Sequence, residues 1–174
     1  VPFYDSFPPE LCRLFQAAAL KEDSLEELRL RVGQPLALRY RNCEYGITGD
    51  GRLTENLMKS VRIDAVQLEA VLEALSACSL YAFAEETRQG FFTVPGGHRV
   101  GIAGKTVLEN GKVSCIRNIS FLNLRFSHEK KGCASCILPY LFEDGKLCDT
   151  LLIGPPGCGK TTLLRDLIRQ LSSG

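Results

Sequence analysis

A chain of 174 residues with 21 Lys and Arg against 20 Asp and Glu carries a formal charge of +1. The length is about one domain's worth, and the charge balance argues against a strongly basic nucleic-acid binder. With 45% apolar and 24% charged residues, the composition supports a core and excludes a charged disordered tail. No run of about 18 apolar residues is present to span a bilayer. The start, Val1-Pro2-Phe3-Tyr4-Asp5, lacks the basic and apolar regions of a secretion signal, and the absence of an initiating Met suggests a trimmed chain. Eight cysteines in such a chain read as reduced, mostly buried thiols rather than as a disulfide framework.

The first predicted element is a helix from Pro9 to Leu20. Pro9 suits its first position, and Leu11, Leu14, Phe15 and Ala18 share one face. Strict alternation from Glu27 to Val32 predicts a half-buried strand. Leu36, Leu38 and Tyr40, then Cys43, Tyr45 and Ile47, continue it as a three-stranded meander ending at Gly49-Asp50-Gly51. Asp64 and Gln67 form a capping box ahead of Leu68, Val71, Leu72 and Leu75, at helical spacing. A further helix is expected from Ser79 to a C-cap at Gly90. Strands resume at Phe91, with a turn at Pro95-Gly96-Gly97. Asn110-Gly111 marks a hairpin between residues 106–108 and 113–116. Another strand runs from Ile119 to Phe126, then a polar loop to Gly132. Pro139 interrupts a short helix predicted over residues 134–142, and Glu143-Asp144-Gly145 turns the chain. Thr150-Leu151-Leu152-Ile153 reads as a strand buried on both faces.

The strongest chemical signal follows. Gly154-Pro155-Pro156-Gly157-Cys158-Gly159-Lys160-Thr161 fits G-x-x-x-x-G-K-[ST], with helical spacing after it from Thr162 to Leu171. Glycines let the backbone curl so that its N–H groups face phosphate oxygens, and the helix N-terminus adds positive charge at the same place. Lys160 reaches the β- and γ-phosphates of ATP, and the Thr161 hydroxyl ligates Mg²⁺. The nucleotide-binding set is residues 154–161 with Thr162, and Lys160 and Thr161 are the catalytic pair. Only 13 residues follow Thr161. That is too few for the acidic strand that organises Mg²⁺ and water in P-loop ATPases, so weak or no hydrolysis is expected of this chain.

The chain also resembles the stage III sporulation protein AA family of endospore-forming bacteria. The resemblance rests on residues 27–36, Ser79-Leu80-Tyr81, residues 90–93, Pro95-Gly96-Gly97-His98-Arg99-Val100-Gly101, and residues 154–169. That family is similar to the ATPases of type II and type IV secretion and pilus machines. The resemblance implies an α+β N-terminal domain, residues 1–145, with a mixed, largely antiparallel sheet. The first strand, P-loop and helix of a RecA-like α/β core follow over residues 146–174. It further implies a hexameric ring in the mother-cell cytoplasm, peripheral to the membrane. There it would power a secretion-like channel to the forespore, with the other stage III A proteins as partners. The alternative is a docking or oligomerisation module for a membrane apparatus, with no hydrolysis of its own. A nucleic-acid partner is not expected, since the sequence shows no basic, aromatic-rich stripe.

By the same resemblance, Arg99 and Arg125 are candidates to reach the nucleotide of a neighbouring subunit, a role that suits guanidinium geometry. The alternatives are exposed strand arginines or a structural ion pair. His98 reads as a turn histidine bonded to backbone. Cys133-Ala-Ser-Cys136 lacks the second pair that a zinc site typically uses. Cys158 reads as a small filler in the loop. Glu85, Glu86 and Arg88 read as a solvated helix face.

Overall fold

The computed structural model describes residues 3–5, 7–76, 88–128 and 130–172. The fold is mixed α+β, built on one large antiparallel sheet with three α-helices among the described residues. The chain divides into two compact units, residues 1–127 and 128–174.

In the first unit, α1 (Pro9–Ala17) does begin at the proline. Seven strands follow: β1 (Leu25–Arg31), β2 (Ala37–Tyr40), β3 (Cys43–Ile47), β4 (Leu53–Thr54), β5 (Phe91–Val94), β6 (His98–Glu109) and β7 (Lys112–Arg125). They form one sheet in the order β4-β3-β2-β1-β7-β6-β5. The meander thus gains a fourth short strand, and the strand expected from Ile119 is the continuation of β7 across a bulged ladder with β6. The register of β1 shifts between Leu25 and Glu27, so Leu25 and Leu28 are both buried despite their odd spacing.

Two-residue turns close two of the hairpins. Asn110 and Gly111 both have positive φ (51° and 74°), the type I′ geometry that matches strand twist. Arg41 and Asn42 adopt the same region (52° and 62°) between β2 and β3. No glycine announces that turn, because the paired strands impose it.

α2 (Ala65–Leu75) carries the expected capping box in full. The Asp64 side chain accepts from the Gln67 N–H, and the Gln67 side chain accepts from the Asp64 N–H. Leu11, Leu14 and Phe15 of α1 and Leu68, Val71 and Leu72 of α2 share a core with Leu28, Leu30, Leu38, Val100, Ile102, Leu122 and Leu124 of the sheet. The helices therefore cover one sheet face. The helix expected over residues 79–90 lies mostly outside the described residues, as do Glu85 and Glu86. Arg88 is described, and its Nε donates to the Ser114 carbonyl at 3.0 Å.

The second unit is small. Ala134, Leu141 and Leu167 are its buried apolar residues among those described, with Ile137, Leu138 and Leu163 packed around them. Pro139 sits in the first turn of a short 3₁₀ helix, Leu138–Leu141, which replaces the longer helix expected there. β8 (Phe142–Glu143) and β9 (Lys146–Leu147) pair around Asp144-Gly145. α3 (Lys160–Ser172) closes the unit.

Two further expectations fail. Residues 150–153 are not a strand, and Leu151 and Ile153 are 80% and 87% exposed. A strand buried on both faces needs a neighbour on each side to take its N–H and C=O groups, and no described strand lies beside this segment. The cysteines are not buried either. All seven described are free thiols, either exposed or partly so. No helix among the described residues is long and apolar enough to cross a membrane.

Candidate functional site: the glycine-rich loop

The loop at residues 154–159 is exposed and leads directly into α3 at Lys160. Gly157 and Gly159 have φ of +77° and +89°. A Cβ at either would meet nothing within 4 Å, so backbone conformation and not space demands glycine there. The Gly159 carbonyl accepts the N–H of Leu163 at 2.9 Å, the first bond of the helix. The N–H groups of the first helical turn have no intrahelical acceptor and point toward the loop.

Lys160 is drawn over the loop. Its Nζ donates to the carbonyls of Gly154 and Pro155, at 2.7 Å each, and lies 3.7 Å from the Cys158 Sγ. The ammonium therefore sits at the mouth of the curl, where an incoming anion would meet it. Thr161 is exposed at the second helical position. The residues present fit a nucleotide polyphosphate: a curled backbone, a helix N-terminus, one lysine and one hydroxyl.

Asp166 anchors this helix, and the sequence reading does not single it out. It is 4% exposed. Its Oδ2 accepts the Ala134 N–H at 2.9 Å and Gln170 Nε2 at 2.8 Å, and its Oδ1 accepts Arg169 Nη2 at 2.7 Å. The Ala134 N–H is the main influence that holds the carboxyl well below the usual carboxylate range; burial opposes it, and Arg169, Gly132 and Gln170 reinforce it. The available signal was position. Asp166 falls on the same helix stripe as Leu163 and Leu167, where a charge needs partners. Cys133 packs beside it. Burial first, then the Asp166 carboxylate, raises the Cys133 thiol above its usual value, which favours the inert protonated form.

The other candidates lie in the first unit. Arg99 and Arg125 are direct cross-strand partners on β6 and β7. The Arg99 guanidinium lies 3.6 Å from the centre of the Phe91 ring, and Arg125 faces Glu27 of β1. Burial disfavours the charged form of Glu27, but Arg29, Asn123 and Arg125 outweigh it and lower its carboxyl pKa. Arg29 in turn bonds Glu27 at 3.1 Å and Glu44 at 2.7 Å. His98 Nδ1 accepts the Ser127 N–H at 3.1 Å, the backbone bond expected of it. Among the described residues no cluster of three or more His, Cys, Asp or Glu side chains could hold a metal ion.

The family described as Sporulation stage III, protein AA matches residues 4–174. The chain belongs to this family. Stage III sporulation protein AA of Bacillus subtilis (strain 168) is 40% identical over 150 residues, which cover 86% of this chain and 45% of that protein. The chain thus spans less than half the length of this family relative. The X-ray structure of the Legionella pneumophila ATPase DotB is a remote likeness. It has a TM-score of 0.41 and 16% identity, over 95% of this chain and 43% of that one.

Proposed function

We propose that this chain is the nucleotide-binding N-terminal part of a sporulation ATPase, and that residues 154–162 hold ATP with Mg²⁺. The observation that carries the reading is the left-handed backbone at Gly157 and Gly159, with Lys160 bonded across the loop at the start of α3. Loop N–H groups would take the phosphate oxygens, Lys160 would exchange its two carbonyls for phosphate, and Thr161 would ligate the metal. Bound Mg²⁺ supplies charge neutralisation of the β- and γ-oxygens.

In this reading residues 1–145 form an N-terminal domain and residues 146–174 open a RecA-like core. The exposure of Leu151 and Ile153 supports a sheet that takes them up. Arg99 and Arg125 supply fixed charge toward the nucleotide of a neighbouring subunit in a ring, six-fold by resemblance. That ring would act in the mother cell, peripheral to a membrane apparatus and with the other stage III A proteins. The test is binding of a fluorescent ATP analogue to this chain. Binding that requires Mg²⁺ and falls at least about ten-fold, about 1.4 kcal/mol, in Lys160→Ala supports the reading. Equal binding by Lys160→Ala and the parent chain overturns it.

A further inference from the structure

On the linear sequence the cations of β5, β6 and β7 are scattered. The three strands contain five Lys and Arg (Arg99, Lys105, Lys112, Arg117, Arg125) against one carboxylate, Glu109. Strand register gathers these cations. Phe92, Val100, Ile102, Leu122 and Leu124 are buried on the helix side. Their alternating neighbours, from Arg99 to Ala103 and from Phe121 to Arg125, therefore lie on the open face. Arg99 pairs with Arg125, Lys105 with Arg117, and Glu109 with Lys112. Ile116 packs on the core, which puts Arg117 and its partner Lys105 on the open side. Beyond the Arg99–Arg125 pair, from Gly101 to Glu109, the track is about 26 Å long, at about 3.3 Å per residue, and two strands wide.

Two other features lie along it. Arg31 of β1 pairs with Phe121 and its guanidinium carbon sits 4.8 Å over the ring, a cation held against an arene. One row away, Asn123 lies between Arg29 and Gly101. Its Oδ1 is buried without a hydrogen-bond partner. An orphaned acceptor beside a glycine is a place for an incoming N–H donor.

We propose that the open face of the β6–β7 ribbon, with Arg31 and Asn123 beside it, binds single-stranded nucleic acid. The root pair, Arg99 and Arg125, is the one assigned above to nucleotide phosphates, so the track proper begins one row further out. Charge complementarity selects a polyanion, and the narrow, linear form selects a strand over a flat anionic surface. A guanidinium plane stacks on a base, and the Asn123 amide accepts from a base edge. Neither a lipid headgroup nor an acidic peptide needs both. Net charge hides the track because Glu26, Glu27 and Glu44 neutralise the arginines of the other half of the sheet.

The experiment is fluorescence anisotropy of labelled 20-nucleotide single strands, DNA and RNA, titrated with this chain at several salt concentrations. Binding is expected with the parent chain and with Lys160→Ala. The double variant Lys105→Ala/Arg117→Ala changes only exposed side chains. It should bind at least about five-fold more weakly, with the salt slope lower by about 1.4, or about 0.7 per lost contact. Asn123→Ala should weaken binding without changing that slope. Circular dichroism and the thermal midpoint check that the variants stay folded. Three results overturn the proposal: no binding at 50 mM salt, equal binding by the folded double variant, or displacement of the oligonucleotide by phosphatidylglycerol vesicles or polyglutamate at lower charge concentration.

Discussion

The two units of the chain are built in opposite ways. Among the described residues, the first buries 22 apolar side chains in one continuous core between a sheet and two helices. The second buries three and leaves Tyr140, Leu147, Leu151, Ile153 and Ile168 more than half exposed. In the first unit apolar area does the holding. In the second, one buried carboxylate ties α3 to the turn at residues 132–138 through the Ala134 N–H, and Arg169 and Gln170 of its own helix hold that carboxylate in place. The loop read as the nucleotide site thus belongs to the less consolidated unit. That placement suits a segment which must reshape around phosphate.

The contrast can be broken from either side. The largest loss of stability is expected from Phe15→Ala, which deletes a fully buried ring at the centre of the aromatic cluster of Phe3, Tyr4 and Phe7. It should cost about 3–5 kcal/mol by urea unfolding without altering nucleotide affinity measured under native conditions.

Next comes the acid response of the second unit. Its depressed carboxyl pKa means that charged Asp166 stabilises the unit fully above the ordinary carboxylate range. The contribution fades as pH falls below about 4 toward the lower native value. Near-neutral hydrogen exchange of α3 should therefore slow little between pH 7 and 5 beyond the intrinsic rate, and protection should collapse on further acidification. Asp166→Asn should lose protection in α3 already at pH 7 and show no such acid step. An unchanged acid step in that variant would place the titrating group elsewhere.

The smallest effect is expected at α2. Asp64→Ala removes one half of the capping box and should cost about 1 kcal/mol. The loss should appear in the first unit's unfolding and leave exchange in α3 untouched. Equal effects of Asp64→Ala and Asp166→Asn on both units would mean that they unfold as one body.

How far the sequence could be read follows the same division. In the first unit, local chemistry and burial agree. Pro9 starts a helix, Asp64 and Gln67 cap one, Asn110-Gly111 turns a hairpin, and alternation names the inward residues Leu28 and Leu30. What stayed hidden there is long-range. The turn at Arg41-Asn42 and the alignment of Lys105 with Arg117 exist only through pairing. In the second unit the P-loop spacing is legible because Gly157 and Gly159 each have a backbone reason. Residues 150–153 read as a strand and form none, because an apolar run specifies a buried strand only when a sheet is there to receive it. The role of Asp166 is not legible in the sequence, because its partners Ala134 and Gly132 lie over thirty residues away.

The central claim is that phosphate binds at the curl before α3. Amide hydrogen exchange of this chain with and without ATP and Mg²⁺ tests it most directly. The expected result is new protection in the peptides covering residues 156–163, absent in Lys160→Ala and absent when EDTA replaces Mg²⁺. No protection there at saturating ATP, or the same protection in Lys160→Ala, would contradict the account.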